Sequence, residues 1–146
     1  MFFRQIAIGP MQNFSYIIGD EATKDAAVVD AGWEADKLIE LANKEKLNIN
    51  KIILTHSHYD HIQKTDELAS KTNADVYFHE DDSNEIKKTI KNPTIKIHQL
   101  KNNDEIKVGN IKIMVIHTPG HSPGAICLLF ENKLITGDTL FVNAIG

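Results

Sequence analysis

At 146 residues, with 42% hydrophobic and 25% charged positions, the chain has the composition of a globular protein and too little length for two separate cores. Its net charge of -4 argues against a nucleic-acid partner, because proteins that track a phosphate backbone carry a basic face. No apolar run reaches membrane-spanning length, and MFFRQIAIG lacks the long apolar core of a signal peptide, so the reading is a cytoplasmic protein with no membrane partner.

In chain order, residues 5–9 and 14–18 read as strands joined at Gly9-Pro10, and 26–29 as a buried third strand closed by Asp30-Ala31-Gly32. From Glu34 the apolar positions Leu38, Leu41 and Ala42 follow helical spacing, giving a helix over 34–46. The apolar run 52–54 is a strand that delivers the segment THSHYDH, Thr55 to His61, and a second helix follows over 62–71. A short strand over 76–78, a polar helix over 83–90 ended by Asn92-Pro93, and an extended stretch over 95–100 come next. Lys87, Lys88 and Lys91 sit beside Asp81, Asp82 and Glu85, the pattern of a solvated helix face. Glu105–Val108 and 111–116 pair across Gly109-Asn110, and after the loop 118–124 the strands Ile126–Phe130 and 134–136 close the series. Cys127, the single cysteine, cannot form an internal disulfide and reads as a buried structural thiol. Interleaved strands and helices specify an α/β fold with a mixed sheet, one domain over residues 1–146.

The segment THSHYDH places His56, His58, Asp60 and His61 within six residues at a strand-to-helix junction. At an extended strand end, side chains at i, i+2 and i+4 project to one side, so His56, His58 and Asp60 are expected to converge, with His61 entering from the first turn of the helix. A lone histidine is ordinarily a surface or satisfied core residue. Four such groups together would repel or desolvate one another without a cation, and imidazole with carboxylate suits zinc or iron.

Two later segments repeat this design. One strand ends in HTPGHSPG, where Pro119 and Gly120 supply the turn, Gly124 permits close backbone approach, and His121 stands above the sheet. Another ends in LITGD, whose Asp138 is either a ligand or bridge or a turn-capping carboxylate. Asp30 ends its strand in the same way and either orients a ligand histidine or caps the following helix. His79, His98 and His117 read as structural, Trp33 and Tyr59 as packing before pocket walls, and Ser57 and Ser122 as lacking a base free of the metal.

THSHYDH, HTPGHSPG and TGDTLF in this order resemble the metallo-β-lactamase superfamily, in its glyoxalase II-like hydrolase branch, over essentially the whole chain from VVDAG onward. The resemblance implies an αββα sandwich with mixed β-sheets and a metal site at the sheet edges. It assigns His56, His58 and His121 to one metal with Asp138 shared, and Asp60, His61 and Asp138 to a second. In the family a late Gly-His-Gly histidine completes the second position; that segment is missing, and Gln63 and Lys64 stand where two glycines are common. The chain, stopping at FVNAIG, therefore reads as a C-terminally incomplete form of that sandwich.

The activity so implied is a metallo-hydrolase acting on a small-molecule thioester, lactone or related acyl compound. It would use one or two Zn2+ ions, with Asp60 orienting or deprotonating the water. Two alternatives stay open. One is a mononuclear Fe2+ persulfide dioxygenase using His56, His121 and Asp138; the other is an inactive truncated metal-binding or interaction module, whose uncovered apolar surface would favour a homo-oligomer.

Overall fold

Two β-sheets lie face to face in the computed structural model, which describes residues 1–146. The larger sheet contains β1 (Phe2–Ile8), β2 (Asn13–Gly19), β3 (Asp25–Val29), β4 (Asn48–Ile53), β5 (Asp75–His79) and β6 (Ile97–Leu100), side by side in chain order. It is mixed: β1, β2 and β3 pair antiparallel, and β3 through β6 pair parallel. Each parallel crossover needs an intervening connection, and helices supply those after β3, β4 and β5: α1 (Ala35–Lys44), then α2 (Tyr59–Ile62) with α3 (Thr65–Thr72), then α4 (Ser83–Thr89). The smaller sheet is antiparallel throughout, in the order β10 (Lys133–Ile135), β9 (Ile126–Phe130), β8 (Ile111–His117), β7 (Glu105–Val108).

Strand alternation sorts the apolar residues into two cores. Ile17, Val28 and Ile52 face the helix layer and pack with Leu38, Leu68 and Ile86. Their neighbours Ile18, Val29 and Ile53 point the other way and pack against Ile113, Val115, Leu128 and Phe130 of the smaller sheet. The central strands β3 and β4 of the larger sheet are thus buried on both faces toward their C-terminal ends, which accounts for their unbroken apolar runs. On the far face of the smaller sheet, Met114, Leu129 and Leu134 occupy adjacent register positions and stay exposed, with no helix over them. The layers are therefore helix, sheet, sheet: three of the four in the implied sandwich.

Two expectations change. The helix expected over 62–71 starts earlier and breaks: α2 is a single turn, and α3 begins at Thr65. The break lies where the Lys64 N–H donates to the Ala31 carbonyl at 2.9 Å, tying the chain to the loop after β3. A short hairpin, β11 (Leu140–Phe141) with β12 (Ala144–Ile145), also follows the last expected strand. No helix is long and apolar enough to cross a membrane.

Candidate metal centre

The parallel strands β3 and β4 run in the same direction, so their C-terminal ends bring Asp30 and Thr55 together. Leu54 continues the sheet by donating to the Tyr77 carbonyl at 2.9 Å, and the chain then leaves the sheet through Thr55, His56, Ser57 and His58 before turning into α2. The loop after β8 comes in from the other sheet, fastened where the Ile126 N–H meets the Thr55 carbonyl at 2.9 Å. Asp138 arrives from the turn after β10. There Gly137 adopts φ +53°, and a Cβ on it would stand 2.6 Å from Thr55 Oγ1, so only glycine lets this turn close on Thr55.

His56, His58, His121 and Asp138 converge, with one candidate ligand atom from each lying within 4.8 Å of the others. The imidazoles of His58 and His121 meet edge to face at 4.4 Å between centroids, and His56 stands 4.9 Å from each. Asp138 Oδ2 lies 3.5 Å from His56 Nε2, 3.2 Å from His121 Nε2 and 3.3 Å from His61 Nε2. Asp60 departs from the expected convergence. Because α2 begins at Tyr59, the i, i+4 argument for an extended segment does not reach Asp60. Its carboxylate turns toward His61, 3.6 Å from Nε2, and stays outside the His56, His58, His121 grouping.

Asp30 organises the histidines from below. It is 2% exposed and adopts φ +59°, a conformation uncommon for a non-glycine residue and worth relating to function. Its carboxylate accepts the Thr55 N–H at 2.8 Å and the Thr55 hydroxyl at 2.7 Å, and its Oδ2 lies 2.9 Å from His61 Nδ1. Since the Thr55 hydroxyl donates to Asp30, its lone pair is left to accept from His56 Nδ1, 3.0 Å away. Both imidazoles are thus anchored through Nδ1 and turn Nε2 toward Asp138, the nitrogen left to each for binding a metal. Of the two readings of Asp30, the geometry gives the one that orients histidines.

Charge in the cluster is unbalanced without a cation. Contacts to His56 and His61 hold the Asp138 carboxyl well below the usual carboxylate range. Burial pulls His61 down, but hydrogen bonds and charge from Asp138 and Asp30 outweigh it and push the imidazole up to about 10. Burial, then the neighbouring His56 and His121, lowers His58. The buried Nε2 atoms of His56 and His121 have no hydrogen-bond partner. Unpartnered lone pairs in a buried site are costly, and a cation among them removes the cost, so the donor set fits a metal ion.

Other sequence candidates fall outside this centre. His79 and His117 stack at 3.8 Å with Asp81 nearby, yet His79 Nδ1 accepts the Asp81 N–H and His117 Nε2 donates to the Pro123 carbonyl, so these nitrogens are committed. His98 pairs with Asp75 at the surface and stacks on Tyr77. Cys127 is buried, but on the face of β9 away from the inter-sheet core, its Sγ 3.6 Å from Thr118 Oγ1. Sequence reasoning missed Asn13, whose amide donates to Asp60 Oδ2 at 2.7 Å and to the Asp60 carbonyl at 3.1 Å. A cleft of about 520 Å³ adjoins His61 and Asp138 and is walled by Met11, Phe14, Tyr16 and Phe141; Trp33 and Tyr59 take no part in it.

The family model of the metallo-beta-lactamase superfamily matches residues 8–146. The chain belongs to the metallo-beta-lactamase superfamily. Among superfamily relatives, it is 34% identical over 134 residues to the probable polyketide biosynthesis zinc-dependent hydrolase PksB of Bacillus subtilis, covering 92% of this chain and 58% of that protein. It is 35% identical over 131 residues to a hydroxyacylglutathione hydrolase of Pelagibacter ubique, covering 88% of this chain and 52% of the relative. A crystal structure of a metallo-beta-lactamase from Staphylococcus aureus superposes with a TM-score of 0.88 at 33% identity, over 100% of this chain and 46% of that one. The chain thus spans about half the length of these superfamily members.

Proposed function

We propose that the chain carries the metal centre of a metal-dependent hydrolase acting on a thioester, lactone or related acyl compound. The observation that carries this reading is the convergence of His56, His58, His121 and Asp138 around buried nitrogens without partners, beside an open cleft. These four would hold one ion, and His61, Asp60 and Asp138 would contribute to a second. When bound, the metal supplies Lewis acidity, bringing the pKa of water to about 7 and polarising the acyl carbonyl. Asp60, held by Asn13 of the cleft wall, orients the attacking water and takes its proton. Asp138, kept ionised by its histidine neighbours, stays a ligand and leaves proton transfer to Asp60. The names of PksB and the hydroxyacylglutathione hydrolase agree with hydrolysis, and the apolar wall of Met11, Phe14 and Phe141 suits an acyl substituent.

A second reading rests on the subset His56, His121 and Asp138, two imidazoles and a carboxylate, which is a ligand set for iron in oxygen-dependent enzymes. It would make the chain a persulfide dioxygenase. Metal content per chain after purification without added metal, thioester hydrolysis, and oxygen uptake on glutathione persulfide separate the two. Zinc with thioester turnover supports the hydrolase; iron with oxygen uptake supports the dioxygenase. His56→Ala is expected to remove the tightly held metal and lower turnover by more than about a hundredfold, beyond what loss of an outer partner costs. Unchanged metal content in that variant would sink the assignment of the site.

A further inference from the structure

Resting on the metal-centre reading, we infer that Asp82 is the positioning residue for His121. Of the histidines around Asp138, His56 and His61 are fixed through Nδ1 by Thr55 and Asp30, whereas the His121 ring makes no such bond and takes its place from the backbone of its loop. That loop is closed at its base by the Thr118 N–H on the Ala125 carbonyl at 2.8 Å. Between these ends it has no regular structure.

What fixes the loop reaches it from the opposite sheet. Asp82 ends the short 3-10 turn Glu80–Asp82 after β5 and is 2% exposed. Its Oδ2 accepts the Ser122 hydroxyl at 2.6 Å, and its Oδ1 accepts the Gly124 N–H at 2.9 Å. The carboxylate therefore grips the residue immediately after His121 and the backbone two residues beyond it. With one donor on each oxygen it is fixed against rotation. The fit is close: a Cβ on Gly124 would lie 2.6 Å from Asp82 N and 2.7 Å from Asp82 Cγ. At the loop's entry His117 stacks on His79, three residues before Asp82, with ring planes 15° apart. The corner after β5 so holds the loop at both ends. A buried carboxyl group holding two donors on a loop that contributes a ligand is the arrangement by which outer groups tune a metal site. Ser122 consequently has a carboxylate partner, but as a buried donor to a structural anion it is not a nucleophile.

The test uses cobalt(II) as the probe, read by its visible d–d absorption and by competition with a chromophoric chelator. Asp82→Ala is expected to weaken cobalt binding about 10–100-fold and to alter the absorption band. Asp82→Asn, which keeps an acceptor for Gly124 and can donate to Ser122, restores most of the affinity. Asp66→Ala is the matched control. Asp66 also accepts two donors, the backbone N–H groups of Lys91 at 2.7 Å and Asn92 at 2.9 Å, on a loop that carries no ligand, and its loss should leave affinity and spectrum unchanged. If Asp82→Ala does not fold, Ser122→Ala removes one of the two donors and should give a smaller weakening with the same spectral trend. Wild-type affinity and spectrum in the Asp82 or Ser122 variant, or equal weakening in Asp66→Ala, overturns the role of Asp82 alone. A wild-type chain that takes up no cobalt overturns the metal centre, and this inference with it.

Discussion

Besides Asp82, three polar residues outside the His56, His58, His121 and Asp138 grouping shape the centre: Asp30, Thr55 and Asn13. Asp30 acts twice, directly on His61 and through the Thr55 hydroxyl on His56, so a single carboxylate sets the orientation of both rings. Asn13 does for Asp60 what Asp30 does for the histidines, fixing Oδ2 at 2.7 Å. Asn13→Ala is expected to leave the metal count per chain unchanged and to lower turnover about 10–100-fold, the usual cost of losing an outer partner. Parallel metal analysis and kinetics check it, and wild-type turnover would remove Asn13 from the mechanism. The candidate ligands were legible in sequence because their residue types and spacing are local facts: His56, His58 and His61 lie within six residues at one strand-to-helix junction, and His121 and Asp138 lie in the loops that follow strands. Asn13, Thr55 and Asp82 act through partners 47, 25 and 40 residues away, and nothing in their immediate neighbours announces that.

At the scale of elements, the turn after β2 is tied to the β7–β8 hairpin of the other sheet. Asp20 Oδ2 accepts the Asn110 N–H at 2.6 Å, and Oδ1 accepts the Ala22 N–H at 2.9 Å. The Asn110 and Ala22 donors outweigh burial and hold the Asp20 carboxyl below its ordinary value. A carboxyl whose pKa is depressed on folding stabilises the fold above its unfolded pKa of about 3.9, and that contribution is lost as pH falls through the lower folded value. Asp20→Asn mimics the protonated state. The wild type is therefore expected to melt higher than the variant at pH 7, with the gap closing as pH falls below about 4. Melting curves across that range check it, and a gap that widens in acid would reverse the sign. The hairpin itself was readable from Gly109-Asn110, but its clasp to Asp20 lies across 90 residues of chain. The break between α2 and α3 was hidden for a similar reason, since the Ala31 carbonyl that captures the Lys64 N–H belongs to another loop.

For the molecule as a whole, the interleaving of strands and helices announced an α/β fold with a mixed sheet, whereas the pairing of two sheets in a sandwich was implied only by the family resemblance. Which apolar face would remain open was not legible, because Met114, Leu129 and Leu134 look like any buried strand positions until the layers are counted. A ligand held only by the folded state stabilises it by an amount that grows with the logarithm of its concentration. At about a hundred times its dissociation constant, zinc should add about 2.7 kcal/mol, which raises the melting temperature of a chain this size by roughly 5–10 °C. Scanning calorimetry with and without zinc tests this, and His56→Ala should abolish the shift; equal shifts in both would mean that zinc binds elsewhere. The bond from the Ile126 N–H to the Thr55 carbonyl adds a matter of timing. It joins the first histidine loop to the strand that follows the His121 loop, so the four groups around Asp138 become neighbours only once the two sheets have docked. A cation that needs all of them is expected to slow unfolding and leave the folding rate unchanged, which refolding and unfolding rates measured with and without zinc check.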